Sequence, residues 1–155
     1  MRTAASRFLR DASGVSAIEF ALVGPVVFIL VLCTVEIALD MFVDASVQMA
    51  AQTASRIGLT TTVPANTTRD AEAKRIVNAI LQQWTNVGGV VSITTRAYSS
   101  YKDIGSTSYQ NSMGGFGDVV TYNVSVTMPT FSVIPRLFGF DTLEFERNFI
   151  VQNEK

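Results

Sequence analysis

The sequence predicts an α+β chain: one long N-terminal helix crossing a membrane, a second amphipathic helix, and a small antiparallel sheet of about three strands. Three observations carry this. From Val15 to Leu39 the only charged residues are Glu19 and Glu36, and Phe20 to Val35 carries none. Between residues 69 and 84 the apolar side chains recur at the three-to-four spacing of a helix with one dry face. Beyond residue 89, three stretches alternate apolar and polar residues with the period of a half-buried strand.

The first helix has the length and composition of a membrane span. At 1.5 Å per residue, Val15 to Leu39 would extend roughly 37 Å against the ~30 Å of hydrocarbon to be crossed. Its Leu, Ile, Val and Phe residues outweigh two carboxylates that lie near the ends, where the penalty for charge is smaller. The helix should continue past the membrane, because residues 36–57 are Ala-rich and free of Gly and Pro until Gly58 supplies a natural stop. Pro25 falls inside the span, where a missing N–H frees a backbone carbonyl and is expected to kink the helix. Glu36, Asp40 and Asp44 recur every four residues and so share one helix face. Such an acidic stripe is either the solvated side of a helix leaving the membrane or a face that receives a basic neighbour.

A Thr/Pro/Asn-rich connection, Thr60 to Thr68, follows. Thr67 with Asp70 makes a capping-box-like start for the second helix, which runs to about Trp84. Ala73, Ile76, Val77, Ile80, Leu81 and Trp84 form its apolar face, and Lys74, Arg75, Asn78 and Gln82 the wet one. Strands are predicted at Val90–Tyr98, Val119–Met128 and Leu143–Val151. The second is the cleanest, while Arg147 interrupts the apolar face of the third. A Ser/Tyr/Gly loop containing Gly114-Gly115-Phe116-Gly117 separates the first two. That loop lacks the lysine and following helix of a phosphate cradle and reads as a flexible hairpin connection.

Charge orients the chain. Residues 1–14 hold Arg2, Arg7 and Arg10 against Asp11, a balance of +2, and the net charge of -1 leaves -3 for the rest. Positive flanks stay cytoplasmic, so the N-terminus is expected inside and the C-terminal part exported. The chain divides accordingly into a leader at 1–14, an extended helix at 15–57 and an exported α+β domain at 58–155. Without histidine, the commonest general base and metal ligand are missing, and no nucleophile–base pair or ligand cluster stands out. No enzymatic activity, cofactor, metal or nucleic-acid partner is expected. Cys33, the only cysteine, reads as a small polarizable side chain within the span.

One motif remains. Gly14-Val15-Ser16-Ala17-Ile18-Glu19-Phe20 places a carboxylate five residues after a glycine, at the mouth of an apolar run. With the basic leader, Pro25 and the following helix, it resembles the processing site of type IV prepilins, and more narrowly the TadE-like minor pilins (pseudopilins) of tight-adherence (Tad/Flp) pili. TadF-like minor pilins are similar. The motif-bearing resemblance covers about residues 7–45.

The resemblance implies cleavage after Gly14 by a prepilin peptidase of the bacterial inner membrane, leaving Val15 as the new N-terminus. It makes Glu19 and Phe20 the processing and assembly motif, and another pilus subunit the candidate basic neighbour for Glu36, Asp40 and Asp44 if that stripe is not simply solvated. It implies partners in other minor pilins, the major Flp pilin and the Tad assembly platform. Function would lie in initiating or capping a pilus for surface attachment and biofilm formation, with the C-terminal domain periplasmic or carried out on the pilus. The major Flp pilins are little more than the helix, so an exported domain of this size points to a minor one. They also favour tyrosine after the glutamate, where Phe20 stands here. The rival reading is an uncleaved single-pass membrane protein whose exported domain senses or binds a ligand.

Overall fold

The computed structural model describes residues 13–59, 62–63 and 65–154. The expected leader, with Arg2, Arg7 and Arg10, lies outside them except for its last two residues, as do Thr60, Thr61 and Pro64 of the first connection. The architecture is α+β. Helix α1 (Ser13–Leu59) is followed by α2 (Arg69–Thr85), β1 (Val90–Tyr98), β2 (Val119–Pro129), a single-turn helix α3 (Ile134–Leu137) and β3 (Thr142–Gln152).

α1 is continuous over 47 residues, about 70 Å, with Pro25 inside it. Its hydroxyl side chains bond back to the preceding turn: Thr34 Oγ1 donates to the Leu30 carbonyl at 2.9 Å and Ser46 Oγ to that of Phe42 at 2.8 Å. They thereby sit in an apolar helix without seeking water. The two halves of α1 live differently. From Val15 to Val35 every residue except Gly24 and Cys33 is exposed, whereas Val43, Val47, Ala50, Ala51 and Ala54 are fully buried. The packed unit thus takes in the C-terminal half of α1. Small residues at 50, 51 and 54 let α2 and the sheet approach its backbone closely.

The sheet order is β1-β2-β3, antiparallel throughout. Val124, in the middle strand, lies across from Ile93 on one side and Arg147 on the other. Val120, Tyr122, Val124, Val126 and Met128 face the helices and form the centre of the core with Val77, Leu81 and Trp84 of α2. Polar residues occupy the other face, where Asn123 Nδ2 donates to Asn148 Oδ1 at 3.0 Å and also to Glu146 Oε1.

Two expectations are corrected in detail. The cap of α2 is Thr68 rather than Thr67: the Ala71 N–H donates to Thr68 Oγ1 at 3.1 Å, and Asp70 turns to Lys74 at 2.7 Å. The third residue after that cap is therefore Ala71, which cannot reciprocate as a capping box requires. Gly58 does not stop α1, which continues through Leu59. Its role is close approach. A Cβ built on Gly58 would stand 1.6 Å from the Tyr122 hydroxyl oxygen and 2.5 Å from Cζ.

The Gly-rich loop is a tied corner of the fold. Asn153, 2% exposed, donates from Nδ2 to the carbonyls of Met113 at 2.7 Å and Gly115 at 3.0 Å. Arg69 donates to the carbonyls of Gly58 at 3.0 Å and Met113 at 3.1 Å, and also to that of Gly114. One guanidinium thereby joins the end of α1, the start of α2 and this loop. Within the long β1–β2 connection, a 3-10 turn at Tyr101–Asp103 and a bridge between Ala97 and Gln110 add order that no sequence pattern announced.

Candidate functional site

The residues singled out by sequence lie along α1, at two levels. Gly14, Val15, Glu19 and Phe20 occupy its first two turns and are all exposed. Among the described residues, no neighbouring group lies within 4 Å of a Cβ added at Gly14. Val15 and Glu19 are four residues apart and therefore on one face, one above the other. Pro25 follows within the bare apolar stretch. Val15 to Val35, at 1.5 Å per residue, is about 31 Å, the thickness of the hydrocarbon to be crossed.

The acidic stripe lies at the second level, turned inward to the chain's own domain. Glu36 is 5% exposed and its Oε1 accepts the Phe131 N–H at 3.0 Å. Asp40 is half-buried one turn further along. Glu36 Oε2 and Asp40 Oδ1 are buried without a hydrogen-bond partner among the described residues. Asp44 pairs with Arg147 of β3. The residue that broke the apolar pattern of β3 is thus the counter-charge to a carboxylate on α1. Exposed apolar residues, Ile37, Met41 and Met49 among them, lie elsewhere around the helix.

The Asp44–Arg147 pair keeps about a third of each side chain in water, at 33% and 39% exposure. Solvent screening then limits such a pair to ~0.2–1 kcal/mol. A double-mutant cycle of Asp44→Ala and Arg147→Ala, followed by Trp84 fluorescence during denaturant unfolding in micelles, should return a coupling within that range. A coupling above ~2 kcal/mol would mean the pair is dry and is a principal tie between α1 and the sheet.

Aromatic rings close the corner above the stripe. Trp84 meets Phe42 of α1 edge-on at 5.7 Å between centroids, and Phe131 of the β2–β3 loop at 6.3 Å. At the other end of the domain Tyr98 is buried against Tyr109, whose ring also carries the Arg96 guanidinium 4.8 Å from its centroid. Tyr101 and Phe116 are exposed. Tyr122 is 1% exposed, and burial pushes its phenol up to about 12 although the nearby Arg69 charge pulls the other way. No group of three or more His, Cys, Asp or Glu side chains among the described residues is arranged to hold a metal ion.

The constellation is therefore a helix half bare and half packed, with a carboxylate one turn beyond a glycine at its bare end. Residues 14–56, this helix almost from end to end, match the family model for TadE-like protein. Over this helix the chain is TadE-like. No curated protein and no solved structure gave a significant match. The likeness is to a family of the Tad pilus system and extends over this helix alone. The TadE-like helix is also the one helix among the described residues long and apolar enough to cross a membrane, with a mean hydropathy of 2.6 over its most apolar window. The match and the apolar helix together fit a membrane-anchored chain that is TadE-like over this segment.

Sequence reasoning located the level of the acidic stripe but missed what it faces. The counter-signal was present in Arg147, and in the apolar cluster Phe131, Ile134, Leu137, Phe138 and Phe140 between the last two strands. Neither can be assigned to a face until the register of β3 against β2 is known.

Proposed function

We propose that this chain is a minor pilin of a tight-adherence pilus. It is made as an inner-membrane precursor with its N-terminus cytoplasmic and its domain periplasmic, cut after Gly14 by a prepilin peptidase, and used to initiate or cap the fibre in surface attachment. The observation that carries this reading is the family match on a helix whose membrane half is left bare by the described residues. A bare apolar helix rigidly continuous with a small domain can leave lipid and pack against identical or related helices without refolding the domain. Small-residue and polar contacts between such helices supply the packing once lipid no longer does. On this reading the other minor pilins, the major Flp pilin and the assembly platform are its partners.

Gly14 lies within α1, so the peptidase must unwind the helix around it. Glycine favours that, because it costs a helix ~1 kcal/mol relative to alanine and leaves the scissile bond unobstructed.

The test is intact mass with N-terminal sequencing of the protein from membranes of its host. A chain beginning at Val15 is expected, and Gly14→Leu should accumulate with its leader attached. A wild-type chain beginning at Met1 in cells with active prepilin peptidase would leave the uncleaved, single-pass reading in its place.

A further inference from the structure

The β2–β3 connection leaves a cluster of large apolar side chains uncovered. Between Pro129 and Thr142 the chain makes the single turn α3, and its apolar side chains are left out of the core: Leu137 is 74% exposed, Phe138 75%, Val133 60% and Phe140 58%. Four large apolar side chains on one short loop are more than scattered surface residues, and such a patch marks an interaction site.

What covers the patch follows from where it sits. The loop is tied to α1 by the Phe131 N–H bond to Glu36, and Trp84 meets Phe42 and Phe131 edge-on beside that tie. A groove of about 350 Å³ between the loop and α1 is lined by Cys33, Glu36, Ile37 and Asp40 of α1 and, across from them, by Phe138 and Phe140. Cys33 belongs to the uncharged run that ends at Val35, and Glu36 is the first charge after it. The patch therefore stands at the level where α1 passes from hydrocarbon to water. The same loop carries Arg136, exposed and bonded through Nε to Thr130 Oγ1 at 3.2 Å. Asp141 closes its far end. Exposed aromatics with an arginine among them are the composition of an interfacial anchor, which places rings at the headgroup boundary and a cation near the phosphates.

We propose that the Val133–Phe140 segment inserts into the lipid interface on the side of the membrane that holds the domain. The protein then rests on the bilayer at two points, the span and this foot. Two points of contact fix the domain's tilt and rotation relative to the membrane, which a single helix leaves free. The inference rests on α1 spanning the membrane and not on cleavage or pilus assembly, so it stands or falls separately from the proposed function.

The test uses the full chain in nanodiscs of phosphatidylethanolamine and phosphatidylglycerol. In a Cys33→Ser background, Phe138→Cys and Phe116→Cys are each labelled with an environment-sensitive fluorophore. Lipids carrying a nitroxide high on the acyl chain are then added. Phe116 is 70% exposed and lies in the loop beside Gly58, about 33 Å along α1 from Glu36, so it reports the far end of the domain. Both native side chains are exposed, and Trp84 fluorescence checks that each variant is folded. The label at 138 should shift to the blue and be quenched at least twofold by the nitroxide lipid, with the label at 116 unaffected. A label at 138 with the spectrum and quenching of one in water would overturn the proposal. So would one shielded from water yet untouched by the lipid quencher, which would place a protein against the patch instead.

Discussion

Gly58→Ala is expected to lower the stability of the domain, although alanine is the better helix former. The substitution gains up to ~1 kcal/mol of helix propensity. Against this, the new Cβ would fall 1.6 Å from the Tyr122 hydroxyl oxygen, 2.5 Å from its Cζ and 3.1 Å from Met113 Cε. Tyr122 is 1% exposed in the middle strand, between Thr95 and Phe149, so its ring has no free direction in which to swing. Overpacking a dense core costs ~1–3 kcal/mol and at times more, and an overlap this deep belongs at the upper end. The loss should win by at least ~1 kcal/mol, lowering the melting temperature of the domain by roughly 4–8 °C for each kcal/mol lost. Trp84, the only tryptophan and a buried one, reports the transition directly in micelles. Tyr122→Phe removes a buried hydroxyl that has no hydrogen-bond partner among the described residues, and alone should be neutral or mildly stabilising. Combined with Gly58→Ala it should recover part of the loss, since the nearest clashing atom is gone while Cζ remains. An unchanged melting temperature for Gly58→Ala would mean that the helix and the strand are not in this contact.

That contact shows where sequence periodicity runs out. The strands were legible nearly to the residue because β2 alternates strictly, Val120 to Met128 inward and Thr121 to Thr127 largely outward. α1 was legible because an uncharged run of its length has few other uses. A glycine near a helix end, however, supports two opposite readings, a stop or a close approach. Only the tertiary neighbour decides between them, and Tyr122 is 64 positions away. The same holds for the cap of α2, where Thr67 and Thr68 are chemically equivalent and one residue of register chooses. The acidic stripe was legible as a stripe, since three carboxylates at four-residue spacing must share a face. Its inward direction is set by Arg147 and by the Phe131 N–H, both about a hundred positions away in sequence. Local pattern finds faces. Which face meets which depends on pairings that lie too far apart for any period to register.

Glu19 is the residue for which the largest functional loss is expected. It is exposed on the bare half of α1, inside the stretch long and apolar enough to span a membrane, where a charge costs up to ~2.5–3.5 kcal/mol at mid-membrane and less near the edge. An isolated span would be better off without it. Its position four residues beyond Val15 gives it a role under the proposed cleavage after Gly14, which would leave an ammonium on Val15 one helix turn away. Two neighbouring subunits can then each neutralise the other's buried charge as their helices dock. Glu19→Ala should therefore insert normally, yet be nearly absent from sheared fibres while accumulating in the membrane. Leaving a buried ammonium uncompensated costs roughly 3–5 kcal/mol, a hundredfold or more in the docking equilibrium. Immunoblots of the fibre and membrane fractions measure the ratio. Glu19→Gln separates charge from shape, for it keeps the hydrogen-bonding side chain and removes the anion. If the ion pair drives docking, Gln should fail almost as badly as Ala. Incorporation of both variants at wild-type levels would leave helix packing alone as the force that draws the subunit into the fibre.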